Sequence, residues 1–116
     1  MSTMDRTTIW VWRDDAWSDD RGNLDGFSVE AVDGSIGKID EATYEVGDSY
    51  IVVDTGPWIF GKKVLLPAGV IDRIDYDDEV VYVNQTKEQI KNSPEFDEST
   101  YRDDDYRSRV GDYYLR

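Results

Sequence analysis

The chain has 116 residues, about one domain's worth, and carries 13 Lys+Arg against 26 Asp+Glu for a formal net charge of −13. Cys and His are both absent, which excludes disulfides, thiolate metal sites, cysteine nucleophiles and imidazole chemistry together. The acidity argues against phosphate-backbone binding, no apolar run approaches a membrane span, and the first residues lack a signal peptide's basic and apolar regions, so the expectation is a soluble cytoplasmic protein with no nucleic-acid partner and no membrane insertion.

Charge and apolar density divide the chain into an N-terminal extension (1–22), a folding unit (23–96) and an acidic, Tyr-rich tail (97–116). In the extension, Ile9 and Val11 alternate against Trp10 and Trp12. As a strand this stretch is apolar on both faces, so both faces need cover, from an open sheet edge of its own chain or of a second one. The folding unit begins with Phe27–Val32, where Phe27, Val29 and Ala31 share a face. Asp33-Gly34 follows as a hairpin dipeptide, because glycine accepts positive φ without a Cβ clash. Ile36 to Val46 reads as the next strand, but Ile36 and Ile39 break the period of two, which predicts a bulge or late start near Gly37. Ala42, Tyr44 and Val46 then alternate, and Gly47-Asp48 makes a turn. Tyr50–Asp54 is β-branched and almost continuously apolar, the pattern of a strand covered on both sides.

Gly56 to Gly61 reads as a hairpin loop with Trp58, Ile59 and Phe60 at its tip. Lys63–Pro67 is a strand ended by Pro67, which has no N–H for a ladder. Val70–Tyr76 reads as a short helical turn and then a strand with Ile74 and Tyr76. Asp77-Asp78-Glu79 turns the chain into Val80–Val83. The period then changes. Thr86-Lys87-Glu88-Gln89 fits a capping box, with Thr86 at the N-cap and Gln89 three residues on, and predicts a two-turn helix over Lys87–Lys91 that Asn92 and Pro94 end. The tail places Tyr101, Tyr106, Tyr113 and Tyr114 among acids and arginines. Two readings stand side by side: a disordered tail, or an amphipathic arm that docks with rings buried and hydroxyls in water.

About six short strands separated by turns predict a mainly β fold, a small antiparallel barrel with a short C-terminal helix and extensions at both ends. Side chains fill so small a barrel, leaving no room for a sizeable enclosed ligand. Its core is marginal, and strand extension, packed flanks or self-association would each support it.

Asp33-Gly34-Ser35-Ile36-Gly37-Lys38-Ile39-Asp40 resembles the D-G-x-x-I-G-K-V-D opening of the PRC-barrel family, with one residue fewer between Gly34 and Ile36 than in many members. The Ile51-Val52-Val53 strand, the Leu65-Leu66-Pro67 strand end, the late Val80-Tyr82-Val83 strand and the closing Thr86–Pro94 segment follow in the family's order. The stretch Thr55–Gly69 is similar to small stand-alone actinobacterial members. The resemblance spans about Leu24 to Phe96. It implies a compact β-barrel serving as an interaction module in larger assemblies, and it supplies no catalytic motif to carry over.

The carboxylate runs Asp75–Glu79 and Asp103–Asp105 offer oxygens for a hard cation, but neither has EF-hand spacing, and the plain reading is a solvated turn and a charged tail. Paired acids for glycoside hydrolysis need a cleft that a filled barrel lacks. No G-x-S-x-G or S-x-x-K pattern occurs. The expectation is therefore a non-enzyme with no cofactor and no metal site. Trp58, Ile59 and Phe60 either fold back to plug the barrel or form a contact surface. Trp10, Trp12, Trp58, Ile59 and Phe60 are accordingly the candidate protein-contact residues. The leading expectation is a cytoplasmic interaction or adaptor module that forms a homodimer and suits a basic protein partner. The alternative is an acidic, stress-related protein that binds a metal or small ligand.

Overall fold

A computed structural model of the chain describes residues 8–12, 23–43, 49–56 and 62–115. The alternating and β-branched runs of the folding unit form six strands: β1 (Ser28–Ala31), β2 (Gly34–Ala42), β3 (Tyr50–Asp54), β4 (Lys63–Pro67), β5 (Ile71–Asp75) and β6 (Val80–Val83). They lie in one sheet in the order β4-β3-β2-β1-β6-β5. The fold is mainly β, as the sequence predicts, with two departures from an antiparallel barrel. β1 and β6 pair in parallel, and the end strands β4 and β5 do not pair, so the sheet is open. Chain order explains both. The meander β1 to β4 leaves the far edge of β1 free, and the β5–β6 hairpin docks there with β6 innermost. β4 and β5 are joined only by a single 3-10 turn, Ala68–Val70, and Pro67 at the end of β4 has no N–H to offer across the gap.

The irregularity expected near Gly37 is present. Val29 faces Gly37 and Glu30 faces Ser35, which leaves Ile36 as an extra residue in β2. A second shift, between Ile39 and Glu41, makes Asp40 extra against β3. These bulges let Ile36 and Ile39, three apart, both enter the core, and they add bend and twist to the sheet. The β1–β2 turn lies one residue before the expected dipeptide: Val32 and Asp33 connect the strands and Gly34 already pairs with Ala31. Neither Val32 nor Asp33 has positive φ, so the turn is not of the primed type, and the glycine's freedom is used just after it.

Helix α1 (Lys87–Lys91) has the predicted capping box: Gln89 N–H donates to Thr86 Oγ1, and Gln89 Oε1 accepts from Thr86 N–H. Asp33 adds a second tie, accepting from Lys87 N–H at 2.8 Å and anchoring the helix to the first hairpin. The tail forms helix α2 (Asp104–Tyr114), with Asp104 and Asp105 in its first turn, where the helix dipole favours acids. Tyr106, Val110 and Tyr114 are buried in the same core as Val29, Ile51 and Leu66. The tail is thus the docked arm of the two readings, but its described hydroxyls are not left to water. Tyr106 donates to Pro94 O and Tyr113 to Gln89 O.

Ile9–Trp12 is a turn, not the expected strand. Val11 N–H donates to Thr8 O, while Ile9 O accepts from Gly69 and Trp10 O from Ser49. Successive carbonyls both directed into the protein are incompatible with a strand's alternation. The expected strand positions Tyr44 and Val46, and the Gly47-Asp48 turn, lie outside the described residues.

Two predictions follow from this packing. At Gly37 φ is +148° and a Cβ would lie 2.1 Å from Asp54 O. At Gly26 φ is +86° and a Cβ meets nothing within 4 Å. Gly37→Ala should lower stability by at least about 3 kcal/mol, and Gly26→Ala by about 1 kcal/mol, in denaturant unfolding. Equal losses would contradict the close approach of β2 to β3. Burial raises the Tyr106 hydroxyl from 10.0 to about 12, and raises Tyr114 as well. The folded chain therefore holds these protons to higher pH than the unfolded chain. The stability involved is whole below pH 10.0 and falls as pH rises toward about 12. Denaturant midpoints should drop across that window, and Tyr106→Phe should flatten the drop; a midpoint indifferent to pH there would contradict the burial.

Candidate functional site

The aromatic residues singled out in the sequence are placed as follows. Trp10 is buried, edge-to-face with Tyr50 at 6.3 Å between centroids. It lies beneath Gly111 of α2, where a Cβ would come 3.2 Å from Trp10 Nε1. Trp12 is partly buried against the same core. Both rings thus pack within their own chain. Trp58, Ile59 and Phe60 lie outside the described residues. The acidic runs are local structure: Asp75 Oδ1 accepts from Asp78 N–H at 3.0 Å, closing the turn before β6, and Asp104 pairs with Arg107 at 2.7 Å on α2. Among the described residues, no three acidic side chains are grouped to hold a metal ion.

What the fold does assemble is a cluster where the 96–102 segment meets β2, β3 and β4. Tyr101 donates its hydroxyl to Glu41, 3.0 and 3.2 Å from the two carboxylate oxygens, and Arg102 reaches the same carboxylate at 3.6 Å. Lys63 bridges Asp40 at 2.9 Å and Glu98 at 3.3 Å. The Tyr101 ring packs on Phe96 at 4.8 Å and edge-on to Tyr50 at 6.4 Å. All of these residues except Tyr50 line a groove of about 370 Å³. Burial, then the Glu41 carboxylate, raises the Tyr101 and Tyr50 hydroxyls above the ordinary tyrosine value. The hydrogen bond to Asp40, then that to Glu98, holds the Lys63 ammonium above its ordinary value. Hydrogen bonds from the Ser99 hydroxyl and N–H hold the Asp97 carboxyl below its ordinary value. Tyr101 therefore stays a protonated donor and Lys63 a protonated cation, which suits a clasp and not a nucleophile or base.

A second groove, of about 280 Å³, runs beside the start of β4. Val64, Pro94 and Phe96 supply apolar lining, and Lys62, Lys63 and Lys91 supply charge. Lys62 pairs with Glu95 at 3.2 Å, both side chains being largely exposed. Lys91 has no ion-pair partner among the described residues.

Sequence reasoning missed both grooves. The Tyr101–Glu41 bond of the first groove spans 60 residues and the Lys62–Glu95 bond of the second spans 33, so no local pattern announces either. The one available signal was that Lys62 and Lys63 form the only adjacent pair of basic residues in an otherwise acidic chain.

No protein-family model matches the chain, and no curated protein matches it. A similar solved structure is that of a 16S ribosomal RNA processing protein, RimM, from Pseudomonas aeruginosa, with 20% identity and a TM-score of 0.48. The likeness covers 62% of this chain and 45% of that one, so the chain spans less than half of that protein's length.

The clasp is testable by a double-mutant cycle of Tyr101→Phe and Glu41→Gln. A charge-assisted hydrogen bond at a partly exposed site should give a coupling energy of about 1 kcal/mol in thermal or denaturant unfolding. Additive losses would show that the two side chains do not act together.

Proposed function

We propose that this chain is a non-enzymatic protein-interaction module built on a PRC-barrel-like sheet. The observation that carries the reading is that the sheet's interior is occupied by side chains while the described grooves lie outside it, along β4 and the segment that crosses it. Such grooves suit a partner's side chains better than an enclosed substrate. The sequence resemblance over Leu24–Phe96 supports the same reading, since that family's barrels act as interaction modules. The open sheet is a departure from a closed barrel, and it leaves an end strand, β4, beside a groove.

At long range the charge of −13 favours basic protein surfaces and disfavours nucleic acid. Self-association, where it occurs, has Trp58 and Phe60 as its sequence candidates, because Trp10 packs inside its own chain.

The test is retention of proteins by the immobilised chain, against an unrelated folded protein of equal charge. The reading predicts a partner retained in near-stoichiometric amount and released as ionic strength approaches 1 M, where the screening length is about 3 Å. Retention no better than the control contradicts it, as does a purified turnover that Asp75→Asn abolishes. Sedimentation adds a second outcome: a dimer should dissociate in Trp58→Ala plus Phe60→Ala without loss of fold, and a double mutant that unfolds instead would place those rings in the core.

A further inference from the structure

We propose that the groove beside the start of β4 docks an extended acidic segment of a partner protein, which adds as a strand at Lys63 and sets its carboxylates against Lys62 and Lys91. This rests on the interaction-module reading and names the site and the chemistry of the partner.

The backbone supplies the first argument. Thr55 N–H donates to Lys62 O, and Ala68 N–H to Ser49 O. Both fix the same alternation along β4. Lys62, Val64 and Leu66 direct their peptide groups toward β3, and Lys63 and Leu65 direct theirs away from it. Among the described residues β4 ends the sheet, so the outward N–H and C=O of Lys63 face no neighbouring strand there. Pro67 falls in the same outward set, the position where a missing N–H costs the ladder nothing. Lys63 lines the groove, and the groove therefore contains an open strand edge of the kind that accepts an added β-strand.

Charge decides the occupant. Lys63 is already held by Asp40 and Glu98, which leaves Lys62 and Lys91 against Glu95 among the residues lining this groove, a local excess of one positive charge, two minus one, in a chain of −13. Edge lysines ordinarily guard a sheet against pairing with its own copies, and Lys62 and Lys63 serve that purpose, since a second β4 would set lysine against lysine. Lys91 belongs to α1, not to the sheet, and the edge-guard role does not account for it. Lys91 is an exposed residue that lines the groove together with Lys62 and the apolar Val64, Pro94 and Phe96. A segment alternating acidic and apolar side chains matches both features. The chain's overall negative field does not forbid it, because screening over about 8 Å at physiological ionic strength leaves the nearest charges in control.

The experiment follows backbone amide shifts of the isotope-labelled full chain during titration with three short capped peptides. One alternates glutamate and valine, one alternates lysine and valine, and one is the glutamate peptide N-methylated at alternate amides. The glutamate peptide should perturb Lys62–Val64 and Lys91–Phe96. Lys62→Glu plus Lys91→Glu should weaken it by at least about tenfold, while Lys62→Arg plus Lys91→Arg retains it. The lysine peptide should not bind, and N-methylation on the pairing side should abolish binding. Equal binding of the glutamate and lysine peptides, perturbation centred on another surface, or indifference to N-methylation overturns the proposal. So does release of a self-associated species by the glutamate peptide, which would give the groove to a second copy. A partner retained by the immobilised chain but unaffected by Lys62→Glu plus Lys91→Glu also overturns this site, and it leaves the interaction-module reading standing.

Discussion

An open sheet with an apolar face must be covered, and the rest of this structure follows from how that is done. β4 and β5 do not close on each other, so the ends of the chain complete the core. From the N-terminal side come Ile9 and Trp10, held by Gly69 and Ser49 through their carbonyls. From the C-terminal side comes α2, with Tyr106, Val110 and Tyr114 buried. The two coverings meet at Gly111, whose missing side chain lets Trp10 pack against the helix. Each such buried side chain contributes roughly 1.5–3 kcal/mol, a large share of the 5–15 kcal/mol typical of domain stability.

Covering the core in this way also creates the surface. To reach α2 the chain leaves α1 at Lys91 and runs along the start of β4 and across β2 and β3. Its passage makes one groove whose charges are all satisfied internally, by Lys63 with Asp40 and Glu98 and by Tyr101 and Arg102 with Glu41. It makes another whose lysines are only partly satisfied. The first groove is a clasp that holds the crossing segment in place. The second is the site of the proposed docking, and it coincides with the end strand of the sheet. An account of function that relies on the acidic surface alone would overlook it.

Local chemistry was legible in the sequence, and long-range assembly was not. The capping box of Thr86 and Gln89 fixes α1 to the residue because both partners lie within one turn of helix. The broken period between Ile36 and Ile39 announces the β2 bulges, since only an extra residue lets both enter one core. The parallel pairing of β1 with β6 joins residues some 50 positions apart, such as Val29 and Val81, and no local pattern encodes it. Ile9–Trp12 has a strand's alternation, but its carbonyls are claimed by Gly69 and Ser49, a tertiary effect that overrides propensity. The tail left two readings open because its tyrosines are amphipathic, and the sequence does not show that Pro94 O and Gln89 O await their hydroxyls. The grooves arise only once these distant pieces meet.

The central claim is that the C-terminal helix is part of one cooperative core and not an arm laid on a finished domain. Native-state hydrogen exchange tests it on the intact chain. If the account holds, the amides of Val110 and Tyr114 exchange only through the same global opening that exposes Ile51 and Val53, with equal free energies and equal denaturant dependence. Exchange in α2 through a local opening several kcal/mol cheaper than that of β3 would contradict it, because the sheet would then be stable without its cover.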